Sequence, residues 1–159
     1  MSAAHVAETL YERAAEVEAL VRGFLSCTLP WSEWTHAAHL TVALWHLLHY
    51  DWEEAVERVR EGIKHYNAAN GVATTRERGY HETITLFWMR YVRAFLEANY
   101  NEGCSLASLA NALVERADRN APLEHYSREL LFSWEARLAW VEPDLKALPP
   151  VDAPSRAGA

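Results

Sequence analysis

The chain is poor in cysteine, has no excess of basic residues and contains no long apolar run. Its two cysteines, Cys27 and Cys104, stand far apart among 159 residues and form no CxxC pair. The spacing typical of zinc fingers and thioredoxin-like motifs is therefore absent. So few cysteines are typical of a reducing compartment, although one disulfide is an open alternative. We therefore expect a cytoplasmic protein whose fold does not depend on disulfide bonds.

The charge balance excludes two classes of partner. The formal net charge is −7 with the eight histidines counted as neutral. Nucleic acids and anionic membrane surfaces are bound through clusters of basic residues, so we expect neither as a partner. No stretch approaches the roughly 20 apolar residues of a membrane-spanning helix. The first residues, MSAAHVAETLYERAAEVEA, lack the cationic start and apolar segment of a signal peptide.

Aromatic residues, in contrast, are abundant. Half of the residues are hydrophobic and seven are tryptophans, which favours a large aromatic core or an aromatic-lined pocket. A chain of this length usually forms one domain. Such a domain buries roughly 70% of the surface that the unfolded chain exposes. We therefore expect it to fold without a structural metal.

Hydrophobic residues recur at three- and four-residue steps along most of the chain, which predicts helices rather than strands. Five main helices are predicted at about 3–28, 36–50, 52–69, 80–99 and 105–117, and two short ones at 122–132 and 134–141. The sequence thus indicates an all-α fold: a single-domain helical bundle with four to five main helices over residues 1–148. A flexible tail rich in proline and alanine is predicted for residues 149–159.

The motif WTHAAHL places His36 and His39 three residues apart at the start of the second predicted helix. At this spacing the two Cβ atoms lie about 5–6 Å apart, so both imidazoles can reach one cation at about 2.0–2.1 Å. Glu33 is a third candidate ligand if the helix begins at Ser32, but lies outside it if Thr35 is the N-cap. The alternative is two ordinary histidines near a helix start.

A second motif, GYHETIT, opens the fourth predicted helix. Within a regular helix His81 shares its inward direction with Thr85 and Trp88, whereas Glu82 projects about 100° away. His81 is therefore the predicted metal ligand. Glu82 is a candidate catalytic base or a residue that orients a ligand. The alternative is a first-turn glutamate stabilised by the helix dipole.

Together the two motifs predict a metal centre. In helical bundles, metal ligands are inward side chains of facing helices. If both helix starts lie at one end of the bundle, His36, His39 and His81 form a three-histidine site with an open position, as catalytic metal sites have. Imidazole ligands suit a divalent transition metal, namely Zn, Fe, Ni or Cu.

Further candidates lie outside these motifs. In PLEHYSREL, His125 is a possible fourth ligand and Tyr126 a possible catalytic hydrogen-bond donor to a metal-bound oxygen. The alternative is a surface histidine beside a core tyrosine. Arg76 and Arg78 precede His81 and are candidates to hold an anionic substrate through bidentate contacts. The alternative for both is a solvated loop.

The combination of WTHAAHL, GYHETIT and HYSRELLFSWEARLAWVEPDL resembles a group of small bacterial all-helical proteins to which no reaction is attached. The similarity covers about residues 24–148. It implies that one constellation is formed by His36, His39, His81, Glu82, Tyr126 and Ser127.

Two functions follow from these patterns. The first is a metal-dependent enzyme with a mononuclear histidine site and a small-molecule substrate, for which an anion is one candidate. Its chemistry would be hydrolysis or lyase chemistry by a metal-bound hydroxide, or oxygen-dependent oxidation if the metal is iron or copper. The alternative is a non-enzymatic helical module without metal, which binds a ligand or assembles through its tryptophan surfaces.

Overall fold

The computed structural model describes residues 10–149, and within this range the chain is helical with no strand. The all-α prediction is confirmed. The helices are α1 (Ala14–Leu25), α2 (His36–His49), α3 (Trp52–Ala69), α4 (Glu82–Asn99), α5 (Leu106–Arg116), α6 (Pro122–His125), α7 (Arg128–Leu131) and α8 (Trp134–Leu138), with a 3₁₀ turn at Trp31–Glu33. The start of the first predicted helix (residues 3–9) and the predicted tail beyond residue 149 lie outside the described residues.

The second helix begins where Thr35 caps it. The Thr35 hydroxyl accepts a hydrogen bond from the backbone N–H of Ala38 at 3.2 Å, which satisfies a donor that has no partner within the helix. The alternative start at Ser32 is therefore wrong. Glu33 belongs to the separate 3₁₀ turn and is not on the same helix face as the two histidines.

The fourth helix begins two residues later than predicted. His81 is its N-cap, with an extended backbone (φ −133°, ψ 109°), and its Nδ1 accepts from the N–H of Ile84 at 3.1 Å. The expected angle of about 100° between His81 and Glu82 therefore does not apply, because only Glu82 is inside the helix.

Helix α2 lies at the centre of the bundle and contacts α1, α3, α4 and α5. Its sequence, HAAHLTVALWHLLH, is apolar over most of its circumference, which is typical of a fully enclosed helix. Even two of its polar residues are buried, and the buried set is Ala38, Leu40, Thr41, Val42, Ala43, Leu44 and His46. Four helices thus pack around the apolar helix α2.

The C-terminal segment packs against the first half of α4. Tyr126 is fully buried beside Phe87 and Leu131 in a second, smaller cluster. The hydroxyl of Thr83, in the first turn of α4, donates to the carbonyl of Ala139 at 2.9 Å. Three short helices, not two, form this segment, and α8 is thereby held beside the start of α4.

An ion pair joins α3 to the start of α4. Nε of Arg60 lies 3.0 Å from both carboxylate oxygens of Glu82, and Nη2 lies 2.8 Å from Oε1. The hydroxyl of Tyr80 donates to the same carboxylate at 3.2 Å. The Glu82 side chain is only 12% exposed. Burial, and then the neighbouring carboxylate, raise the pKa of Tyr80, so its hydroxyl keeps its proton.

We predict that Glu82→Gln lowers the free energy of unfolding by about 1.5–3 kcal/mol, because it leaves a partly buried guanidinium without its charged partner. Glu57→Gln is the matched control, since Glu57 binds the same arginine at 2.7 Å but is 60% exposed. Its cost should stay below about 1 kcal/mol. Urea unfolding of both variants measures the difference. Equal losses would contradict the structural role of Glu82.

Candidate functional site

A pocket of about 350 Å³ lies at one end of the bundle. Its walls come from the 3₁₀ turn, the first turns of α2 and α4, the last turns of α3, the loop 71–80 and α8. The volume lies in the lower part of the range typical of small-molecule sites, roughly 300–1,000 Å³. Both histidine motifs contribute to it, since His39 and His81 line it.

The loop that closes one side of this pocket has a fixed shape. The backbone N–H of Thr75 donates to the carbonyl of Arg78 at 2.7 Å. Gly79 has φ +95°, a value that residues with a side chain rarely adopt. A Cβ there would lie 2.7 Å from the carbonyl oxygen of Ala73 and from Cα of Thr74. The loop therefore needs glycine at this position for both conformation and space.

His39 presents an acceptor to the pocket. Its Nδ1 lies 2.7 Å from the carbonyl oxygen of Thr35. A carbonyl only accepts, so Nδ1 carries the proton and Nε2 carries a lone pair. The ring stacks on Trp34, with centroids 3.7 Å apart. Burial lowers the pKa of His39 to about 4, so the imidazole is neutral at pH 7.

His81 has both ring nitrogens occupied. Nε2 donates to the carbonyl of Leu131 at 2.7 Å, and Nδ1 accepts from Ile84, as described above. Burial lowers the pKa of His81, in agreement with a neutral ring that donates at one nitrogen and accepts at the other. His81 therefore connects the start of α4 to α7, and no lone pair remains for a metal ion.

His36 faces away from the pocket. Its ring meets the ring of Trp88 edge-on, with centroids 4.8 Å apart, and it interacts electrostatically with Asp118 and Arg119, which follow α5. Its Nε2 is buried and has no hydrogen-bond partner among residues 10–149. Burial lowers the pKa of His36. The two histidines of WTHAAHL thus lie in different surroundings, His36 against Trp88 and His39 at the pocket.

The three-histidine arrangement expected from the sequence does not form. His36 lies outside the pocket that His39 and His81 line, and His81 has no free nitrogen. Across residues 10–149, no group of three or more histidine, cysteine, aspartate or glutamate side chains is placed to hold a metal ion. His36, His39 and His81, as they lie in the structure, therefore do not fit a transition-metal ion. The metal remains a prediction from the sequence.

The two predicted catalytic residues are both engaged elsewhere. The Glu82 carboxylate binds Arg60 and does not line the pocket. The Tyr126 hydroxyl donates to the carbonyl of Val141 at 2.8 Å. Burial raises the pKa of Tyr126 to about 12. The contacts of Glu82 and Tyr126 therefore stabilise the packing of the helices.

The additional candidates also separate. His125 binds the backbone of the C-terminal segment, where its Nδ1 donates to the carbonyl of Lys146 at 2.9 Å. Glu33 is exposed in the 3₁₀ turn. Ser127, which the resemblance adds, caps α7 and donates to Asp144 at 2.6 Å. None of these three lines the pocket.

Of the two loop arginines, Arg78 lines the pocket and Arg76 does not. The guanidinium of Arg76 lies 5.2 Å from the ring centroid of Trp134, a cation–π contact at the surface. Arg78 is exposed at the rim, where it adds a positive charge. Of the two candidates for an anion contact, only Arg78 therefore lies at the pocket.

Arg137 was not predicted. This residue of α8 is only 7% exposed and lines the pocket. Its Nη1 donates to the carbonyls of Gly79 at 3.0 Å and Tyr80 at 3.3 Å. No carboxylate of residues 10–149 lies within 4.0 Å of it. Buried charges are normally paired, so this arginine is exceptional. Burial lowers its pKa, but a guanidinium stays charged at neutral pH.

Asn67 is a second polar residue that the sequence did not indicate. It is buried in α3, only 7% exposed, and lines the same pocket. Its side-chain amide makes no hydrogen bond to any residue in the range 10–149. Buried amides usually have a partner, so its donor and acceptor are available to a ligand or to water.

Comparison of the chain with known protein families, with curated proteins and with solved structures finds no match. Among residues 10–149, no helix has the length and apolar character needed to cross a bilayer.

We predict that the protein loses stability as pH falls from 7.5 to about 5. The unfolded chain binds protons near the ordinary histidine pKa of about 6.5. The folded state does not, because burial lowers the pKa of four histidines, His36, His39, His46 and His81. Their contribution is complete above about pH 6.5 and falls as the pH approaches the folded pKa values.

Urea unfolding at half-unit pH steps measures this slope. His81→Gln should flatten this slope by up to one proton, because it removes one of the four histidines whose pKa is lowered by burial. A free energy of unfolding that stays constant from pH 7.5 to pH 5 would show that these rings are protonated in the folded protein.

We also predict that protein purified without a histidine tag carries less than about 0.1 equivalent of Zn, Fe, Ni or Cu, because His81 has no free nitrogen. Elemental analysis by mass spectrometry measures this. About one equivalent of metal, lost in His81→Ala but kept in His49→Ala, would restore the three-histidine site.

Proposed function

We propose that the protein binds a small organic anion in this pocket, with Arg137 as the main contact. The observation that carries the proposal is a buried guanidinium at the pocket wall with no carboxylate within 4.0 Å among the described residues. Burial of an unpaired charge is costly. An anionic ligand would supply the missing partner.

The hydrogen bonds of Arg137 determine which of its donors are left. Nη1 is used by the backbone carbonyls of Gly79 and Tyr80. Nε and Nη2 donate to no residue in the range 10–149. These two nitrogens form one edge of the planar guanidinium, the edge that binds both oxygens of a carboxylate in parallel. The backbone contacts also fix the orientation of that edge.

Two rim residues adjust the charge of the site. Arg78 adds a second guanidinium. Glu77 also lines the pocket, and its charge acts on Arg137 from beyond ion-pair distance. An incoming anion would therefore be attracted by two arginines and repelled by one carboxylate. In this proposal His36 is a packing residue and His81 a capping residue, as in the ligand-binding alternative of the sequence. An arginine takes the place of the metal as the partner of the anion.

The test compares benzoate with benzamide, which has nearly the same shape and no charge. In ¹H–¹⁵N chemical-shift titrations we expect benzoate to bind wild type and benzamide to bind at least about 10-fold more weakly, since hydrogen bonds to charged groups contribute about 1.5–3 kcal/mol. Arg137→Gln should weaken benzoate binding by a similar factor.

Glu77→Gln provides the matched control at the rim. It removes a negative charge from an exposed side chain, so we expect benzoate to bind about 2- to 5-fold more tightly, in line with the modest energies of exposed charges. This variant does not disturb the backbone contacts of Arg137. Equal affinity for benzoate and benzamide, or no response of benzoate binding to Glu77→Gln, would contradict the proposal.

A further inference from the structure

The pocket holds three features besides Arg137 that restrict its ligand further. These are an exposed tryptophan ring, a histidine nitrogen with a free lone pair and the amide of Asn67, a mostly buried residue whose amide has no partner among residues 10–149. All three line the pocket of about 350 Å³ that contains the arginine. The inference drawn from them concerns the chemical class of the ligand and rests on the proposed function.

Trp31 is the apolar contact. Its ring stacks on Tyr66, with centroids 5.9 Å apart and planes 15° apart, so its orientation is fixed. It is nevertheless 43% exposed, the largest exposed ring at this pocket. Trp34 is different, because it already stacks with Phe24 and His39. A flat ring placed on Trp31 would cover apolar surface and gain an aromatic contact worth roughly 0.5–1.5 kcal/mol beyond its area.

His39 is the polar contact, and it would accept a hydrogen bond from a donor group on the ligand. Its protonated Nδ1 is held by the carbonyl of Thr35 at 2.7 Å, so Nε2 accepts and does not donate. No residue in the range 10–149 donates to Nε2, and it is not among the fully enclosed polar atoms. A carboxylate cannot satisfy it, because both groups are acceptors. The amide of Asn67 can serve either role.

We infer that the ligand is a planar aromatic carboxylic acid that also carries a hydroxyl or amino donor. The carboxylate binds the Nε–Nη2 edge of Arg137, the ring lies against Trp31, and the donor binds Nε2 of His39. The carboxylate and the donor each bind a group that has no hydrogen-bond partner there among residues 10–149, and the ring covers the exposed part of Trp31. The binding is non-covalent and requires no co-reactant.

The experiment compares substituted benzoates by isothermal titration calorimetry. The probes are 3- and 4-hydroxybenzoate, the matching methoxybenzoates, benzoate and cyclohexanecarboxylate. We expect one hydroxybenzoate to bind at least about 5-fold more tightly than benzoate, which corresponds to a hydrogen bond of about 1 kcal/mol. The matching methoxy compound, which cannot donate, should lose that gain. Cyclohexanecarboxylate, which is not planar, should bind more weakly than benzoate.

His39→Phe is the diagnostic variant, because phenylalanine keeps a ring against Trp34 and removes Nε2. It should abolish the preference for hydroxyl over methoxy and leave benzoate binding within about 2-fold. Trp31→Ala should abolish the preference for benzoate over cyclohexanecarboxylate. If His39→Phe unfolds, the imidazole ¹⁵N shifts of wild type replace it: the preferred hydroxybenzoate should shift Nε2 of His39, and benzoate should not.

The outcomes separate this inference from the proposed function. If benzoate binds through Arg137 but neither the hydroxyl nor ring planarity changes the affinity, the ligand class is wrong and the anion site stands. A weak complex has a Kd of about 1 mM. If no carboxylate binds wild type at concentrations up to about 10-fold above that value, both the ligand class and the anion site are overturned.

Discussion

The two hydrogen bonds of His81 hold together the end of the bundle that contains the pocket. One caps α4 through Ile84, and the other reaches Leu131 in α7. Through them, a residue between a loop and a helix positions three elements at once. The C-terminal helices are too short to be stable alone, since isolated helices below about 12 residues are marginal in water. Tertiary contacts such as these therefore fix the positions of the C-terminal helices. Because Arg137 lies in α8, its position depends on them too.

Two charged networks lie on the two sides of this helix start and are used differently. On one side, Arg60 and Glu82 satisfy each other, with Tyr80 as a further donor. On the other side, Arg137 is bonded to backbone carbonyls, which fix its position, and no carboxylate of residues 10–149 lies within 4.0 Å of it. The bidentate ion pair of low exposure stabilises the fold, whereas the unused edge of Arg137 is the basis of the proposed anion binding. The sequence motif GYHET therefore contributes to the frame of the pocket more than to its chemistry.

The sequence predicted the helices well because their signals are local. The periodicity of α3 and the capping residue of α2 each depend on side chains within a few positions, and both boundaries agree with the structure. The site was harder to predict. Whether His36 and His39 face one centre depends in part on a neighbour far along the chain, because the ring of His36 packs against Trp88.

Arg137 shows more clearly that local sequence patterns do not predict which side chains meet in the folded protein. Helix α8 has five residues, fewer than two turns, so hydrophobic periodicity cannot tell which side faces inward. The resemblance to small helical proteins and the metal interpretation both concern the same stretches of sequence, and only the tertiary arrangement distinguishes a ligating histidine from a capping one. Of the two arginines in the loop preceding His81, Arg78 lines the pocket and Arg76 does not.

The fixed loop beside the pocket has a kinetic consequence. Gly79 holds a conformation that a side chain would not allow, and its carbonyl is tied to Arg137. For the ligand that we propose, this wall is therefore in place before binding, and little conformational entropy of the loop would be lost on binding. Association is then a single encounter rather than a closure step, so the observed rate should increase linearly with ligand concentration without reaching a plateau.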